Sequence, residues 1–248
     1  MRRLAAFALV ACSLCLGGCV YLRLLELKNQ LADFDRYFAA DARDGLTLTF
    51  LKPVLLDEDM TFLNLAPESR HRIGVADRWH FRWIKAPVAA DGGARVYDET
   101  ADFIFVDHKL AKLILPESFF IFFPKPIALA GLRAIGHSTV DRAHRTATSR
   151  LTEELENVPA PREVDLSAAL GAPGEIVEHD GQPQWHYRLN PATTDQRSLP
   201  IDIKFTLDPA SRRVRRVEGV LLIGTFSFDF TDESTKPATA ANSIGHAR

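Results

Sequence analysis

The sequence predicts an α+β protein of two related modules, each a helix plus an antiparallel sheet, joined by a long amphipathic helix. Three observations predict it. Short segments that alternate apolar and polar residues between Gly, Pro and Asp read as strands with one wet face. Segments with apolar residues three or four apart read as helices that cover the other face. A block of residues also recurs at an offset of 106: Pro53 with Pro159, Asp59 with Asp165, Ala66-Pro67 with Ala172-Pro173, and Trp79-His80-Phe81-Arg82 with Trp185-His186-Tyr187-Arg188.

The chain begins with a positive pair, Arg2 and Arg3, and an apolar run from Leu4 to Leu16. A run of that length suits a secretory signal and falls short of the roughly 20 apolar residues that span a bilayer. It ends in Leu16-Gly17-Gly18-Cys19, which resembles the bacterial lipobox. That resemblance implies cleavage after residue 18 and acylation of Cys19, with palmitate-type chains that anchor the protein without a membrane helix. Val20 stands where lipoproteins retained in the inner membrane usually carry Asp, which implies an outer-membrane anchor facing the periplasm of a Gram-negative cell. Ordinary secretion with a free Cys19 is the alternative.

Cysteine usage fits this compartment without any disulfide. Cys12 and Cys15 lie in the signal, so the mature chain keeps Cys19 alone, and no intrachain disulfide, thiolate nucleophile or Cys-based zinc site remains. About 230 residues must then stand on a hydrophobic core. Loss of Arg2 and Arg3 takes the formal charge from -2 to about -4, which offers nothing to a polyanion.

The first module, 19–124, opens with a helix from Tyr21 to about Ala42, on the spacing of Leu24, Leu27, Leu31, Phe34 and Phe38. Asp44-Gly45 breaks it, Leu46 to Phe50 alternates as a strand, and Asp57 to Leu63 reads as a short helix. The Trp79 strand, a polar loop from Ala86 to Arg95 and a strand at Phe103 to Val106 follow. Then comes a dense apolar stretch with Phe119, Phe120, Phe122 and Phe123 between Pro116 and Pro124. The four rings read either as filler of the seam between modules or as an exposed patch for lipid or a partner.

The second module, 125–230, opens with a long helix from Ile127 to about Val158, on the stripe Leu132, Ile135, Val140, Ala143, Ala147, Leu151 and Leu155. It places His137, Asp141 and His144 at i, i+4 and i+7 on one face, the one candidate metal constellation, although a solvated helix face is the better account of them. Gly136-His137-Ser138 begins like a nucleophile elbow but lacks the closing glycine and the preceding strand. The stretch from Val164 to about Val220 resembles the helix-then-sheet module of the barrel-assembly lipoprotein BamE and of the β-lactamase inhibitor protein BLIP. The residues that carry this are Leu170-Gly171-Ala172-Pro173, Trp185-His186-Tyr187, and Phe205 and Asp208 leading into Val214. BLIP is a tandem of such modules. The Gly-Met that opens the first helix of BamE-like proteins is absent, so the resemblance implies a fold and transfers no functional residue.

Candidate contact residues follow from the duplication. In each Trp strand the His and Arg alternate with the aromatics, so His80, Arg82, His186 and Arg188 line one face while Trp79 and Trp185 mark the same strands. They form either a shared groove or exposed cross-strand pairs. Arg212-Arg213-Val214-Arg215-Arg216 suits anionic headgroups or a solvated turn, and the lipobox removes nucleic acid as its partner. A last strand follows Gly219, and 231–248 is an aperiodic Ala/Thr/Ser-rich tail.

These features predict a lipid-anchored envelope protein that acts by non-catalytic binding of an envelope protein or of an apolar or anionic ligand. No acid/base pair or nucleophile stands at its required spacing, and no cofactor is expected beyond the lipid on Cys19. The alternatives are a metal-assisted envelope hydrolase built on His137, Asp141 and His144, and an inhibitor of a periplasmic or foreign enzyme.

Overall fold

The computed structural model describes residues 20–230, apart from 94, 138, 142–145, 149–157, 196–197 and 222–223. Helix α1 spans residues 20–32, and the single turn α2 (Phe34–Tyr37) leads straight into β1 (Phe38–Asp41). The helix expected to reach Ala42 therefore stops early. Phe38 is already a strand residue, paired with Phe50, yet its ring stacks on Phe34 at 5.0 Å in the same core. The apolar spacing persists across the change of backbone because both rings are buried together.

The next elements are β2 (Leu46–Phe50), α3 (Asp57–Phe62), β3 (Ser69–Ile73), β4 (Ala76–Lys85), β5 (Asp98–Val106) and β6 (Lys109–Leu115). Helices α4 (Phe119–Phe122) and α5 (Lys125–Gly136) and the hairpin β7 (Thr139–Asp141) and β8 (Thr146–Thr148) come next. Helix α6 (Glu163–Leu170) precedes β9 (Glu175–His179), β10 (Gln182–Pro191), β11 (Ile201–Leu207), β12 (Val214–Leu221) and β13 (Gly224–Asp229). The strand expected after Gly219 is thus two: β12 carries Gly219 in its interior, and β13 pairs back on it.

Eleven strands form one antiparallel sheet in the order β1-β2-β6-β5-β4-β10-β11-β12-β13, with β3 beside β4 and β9 beside β10. Alternation decides its faces. Trp79, Phe81 and Trp83 of β4 and Trp185, Tyr187 and Leu189 of β10 are buried. They share a core with Leu31 of α1, Met60 of α3, Ile127 of α5, and Leu166 and Leu170 of α6. The helices therefore cover one face of the sheet.

Backbone contacts repeat at nearly constant offsets. The bounds of β9 and β10 repeat those of β3 and β4 at the same offset as the sequence block. Asp57 N–H donates to the His108 carbonyl and Glu163 N–H to that of Arg212; Leu110 N–H donates to Leu55 and Val214 N–H to Pro161. Glu68 N–H donates to His80 as Gly174 N–H does to His186. Asp59 and Asp165, each third in its helix, take the N–H of Leu56 and of Arg162, which satisfies a donor the helix start leaves open. Where β4 meets β10, Lys85 faces Leu189, Ile84 faces Asn190 and Trp83 faces Pro191. Ile84 and Asn190 are themselves separated by the offset of the recurring sequence block, so the register runs symmetrically about that pair.

Helix α5 is shorter than its sequence suggests. It ends at Gly136, His137 caps it, and Thr139–Asp141 and Thr146–Thr148 pair as strands. The β-branched Thr139, Val140, Thr146 and Thr148 favour extended backbone over a continued helix. Gly136 also fixes the crossing with α1, because a Cβ there would lie 2.1 Å from the Ala32 nitrogen. Gly136→Ala should therefore lower stability by about 1–3 kcal/mol in urea denaturation, although alanine is the better helix former. An unchanged or raised midpoint would show that the two helices part freely.

Candidate binding surfaces

On the sheet face away from the helices, strand register lines up charged residues across four neighbouring strands. Asp102 of β5 accepts from Arg78 at 2.5 Å and sits 2.8 Å from the Nδ1 of His80. Burial alone would raise the Asp102 carboxyl; hydrogen bonds from Arg78 and His80 outweigh it and hold the group below its ordinary range. Arg82 donates to Asp98 at 2.5 Å and lies 3.7 Å from Glu68. Beyond the β4–β10 junction, His186 contacts Gln184 at 2.8 Å and Glu175 at 3.4 Å, and Arg188 lies 3.7 Å from Asp202. His80, Arg82, His186 and Arg188 thus share one face, each engaged with a neighbour. Such pairs contribute about 0.2–1 kcal/mol each and hold their groups in place.

The other residues singled out by sequence fall elsewhere. Trp79 and Trp185 point into the core, so they support this face from behind and do not form it. Phe120 is buried, Phe119 and Phe123 pack partly buried against the core, and Phe122 lies in α4 between them. This favours the seam-filling role over an exposed patch. His137 caps α5 and Asp141 lies in β7, so the helical face expected for His137, Asp141 and His144 does not exist; His144 lies outside the described residues. No cluster of three His, Cys, Asp or Glu suited to a metal occurs among the described residues. The basic cluster is largely paired: Arg212 with Glu163, and Arg216 with Glu218 at 3.0 Å.

Two buried charged groups were not anticipated. Lys85, at the end of β4, lies 2.7 Å from Asp91, with both side chains at most 3% exposed. Its amine also donates to the Ala172 carbonyl at 2.5 Å, while the Ala172 N–H donates to Asp91 at 2.8 Å. Burial pushes the Asp91 carboxyl up, but Lys85 and the N–H groups of Ala172 and Val88 together hold it below its ordinary value. One offset of the recurring sequence block earlier, Ala66 is held in a similar way by a neutral group, donating to Ser198 Oγ at 3.0 Å and accepting from it at 3.4 Å. Each Ala-Pro turn is thus gripped from across the β4–β10 junction.

Glu99 is the second. It is 3% exposed, accepts from Ser118 Oγ at 3.0 Å, and burial pushes its carboxyl up to about 7 despite that bond. It lines a cleft of about 420 Å³ with Tyr97, Ser118, Ile121, Ala168 and Ala169. A second cleft of about 640 Å³, between Phe120, Pro161, Arg162 and Arg213, shares Ile121 and Ala168 with the first. A carboxyl that stays mostly protonated below pH 7 puts little charge on this part of the cleft under mildly acidic conditions.

A signal for both groups was present in the sequence. Alternation places Lys85 in phase with Trp79, Phe81 and Trp83, and Glu99 in phase with Phe103 and Phe105. A charge in core phase is the cue. Comparison of the chain with protein-family models, with curated proteins and with solved structures found no match.

Proposed function

We propose that this protein is an outer-membrane lipoprotein, acylated at Cys19 and facing the periplasm, that acts by non-catalytic binding of another envelope protein. The observation that carries the reading is the open sheet face. It runs across the β4–β10 junction and presents Arg78, His80, Arg82, Arg188, Asp202 and Lys204 from strands whose other side is buttressed by helices. Side chains held by cross-strand pairing on a rigid sheet lose little freedom on docking, which suits recognition of a polar protein surface.

In the same reading the chain is two copies of one helix-plus-sheet unit, of the BamE and BLIP kind, joined through α5. The contacts that recur at the offset of the sequence block and the symmetric register about Ile84 and Asn190 support it. The hydrolase alternative loses its support with the helical face of His137 and Asp141. The inhibitor alternative uses the same open face and differs only in what docks there.

The test is photo-crosslinking in intact cells, with the crosslinking residue at Lys204 on the open face or at Arg133 on the exposed side of α5. A discrete adduct from position 204, absent from 133 and diminished by Arg188→Glu, is the expected result, and its identity separates an assembly partner from an inhibited enzyme. Adducts from position 133 alone would move the site to the helical side.

A further inference from the structure

At the membrane-proximal end of the chain, Tyr21, Leu22 and Leu25 of α1 and Phe62 of α3 make an apolar patch, each residue 47 to 66% exposed. The Tyr21 and Phe62 rings meet edge-on at 6.3 Å, so the two helices present one continuous surface. The patch is firmly set on the fold. Arg23, between Leu22 and Leu25, donates to both carboxylate oxygens of Asp59, at 2.7 and 2.5 Å, and reaches Glu58 at 3.3 Å. Further along α1, the Gln30 amide donates to the Lys52 carbonyl and Leu31 enters the core.

Its place in the chain names its occupant. Cys19 immediately precedes Val20, the first residue of α1, and acyl chains on Cys19 tie that end of the helix to the bilayer surface. At about 1.5 Å of rise per residue, Leu25 stands only about 8 Å along the axis from Val20, comparable to the interfacial layer on one side of a bilayer. A tyrosine and a phenylalanine beside two leucines is the side-chain chemistry that such a layer accepts, with apolar bodies inward and the Tyr hydroxyl in water. We propose that the Tyr21–Leu22–Leu25–Phe62 patch rests in the lipid interface of the membrane that holds the Cys19 anchor. The protein then stands on the membrane in one fixed orientation, seated on α1 and α3, instead of swinging from a tether. This rests on acylation of Cys19.

The mature chain has no thiol other than Cys19, and acylation blocks that one, so an introduced cysteine is a unique labelling site. Leu25→Cys, Phe62→Cys and, as an exposed control on β9 beyond the β4–β10 junction, Ile176→Cys would each be made in the full acylated protein, labelled with a nitrobenzoxadiazole probe and placed in phosphatidylethanolamine–phosphatidylglycerol vesicles. Quenching by spin-labelled lipid should be at least about threefold stronger at 25 and 62 than at 176. Equal quenching at the three positions, with Cys19 shown by mass spectrometry to be acylated, overturns the seated orientation alone. A mass spectrum without acyl chains on Cys19 overturns the anchor and the seated orientation with it.

Discussion

Lys85→Met is expected to lower the unfolding free energy by about 3–5 kcal/mol, because it leaves Asp91 buried without its counter-charge. The methionine keeps most of the apolar stem, so the loss comes from the charge and not from packing. In the variant, Asp91 retains only the N–H donors of Val88 and Ala172. Burial then drives the carboxyl towards its protonated form, and the deficit should shrink as pH falls towards the ordinary carboxylate value, below which Asp91 of the variant is protonated in folded and unfolded chains alike. Denaturant midpoints at pH 7.5 and pH 4.5 measure this, and an equal deficit at both would mean that lost packing dominates. Lys85→Met/Asp91→Asn removes both charges and keeps an acceptor for a backbone N–H. It should recover at least about half of the lost stability.

The same pair shows why the two sides of the junction need not match chemically. Ala172 is held by an ion pair and Ala66 by one hydroxyl, although the two residues lie one offset of the recurring block apart and both have N–H and C=O engaged by side chains. What the fold requires there is an acceptor for the alanine N–H and a donor for its C=O. A serine supplies both from one atom; a lysine and an aspartate supply them separately and must also neutralise one another. Identity at this clasp was therefore not required, and comparison of one half of the sequence with the other could not find it.

Elsewhere the legibility of the chain followed the reach of each signal. The strands β2, β4 and β10 were plain, because alternation between a packed and an open face is written in adjacent residues. Strands β3 and β9 were not read from the sequence: they are largely exposed, carry no apolar alternation, and form by pairing with the strands that bear the Trp-His-aromatic-Arg block. The end of α5 was not legible, since Val140 and Ala147 continue an apolar spacing of three to four while pairing with each other as strand residues. The pairing of Thr139–Asp141 with Thr146–Thr148 takes over where the helix ends, and the close approach of Gly136 to Leu31 and Ala32 that sets its last turn is a contact between segments remote in sequence. Of the site, the shared face of His80, Arg82, His186 and Arg188 could be read from alternation. Their partners Asp98, Asp102 and Asp202 depended on register between strands. The clustered Phe residues were visible as a group, but the inward packing of Phe119, Phe120 and Phe123 depends on the contact of α4 with α6.

Glu99→Gln should be nearly neutral at pH 4 and stabilising by about 2–3 kcal/mol at pH 8. The sign follows from the direction of the shift. Burial raises the Glu99 carboxyl to about 7 from an ordinary value of 4.5. Below the ordinary value the group is protonated in both states and its burial is harmless. Between the two values the unfolded chain releases the proton first, so stability falls as pH rises; above the folded value the native protein carries a buried carboxylate held by the Ser118 hydroxyl. Glutamine offers the Ser118 hydroxyl the same acceptor and never ionises, so it removes the pH-dependent cost and leaves the hydrogen bond. Urea unfolding of both proteins across pH 4 to 8 gives the difference curve directly. A rise centred between the two carboxyl values places Glu99 in its buried, proton-holding position at the cleft. A difference that stays flat across that range would mean that the carboxyl reaches water, and the low charge assigned to this part of the cleft would go with it.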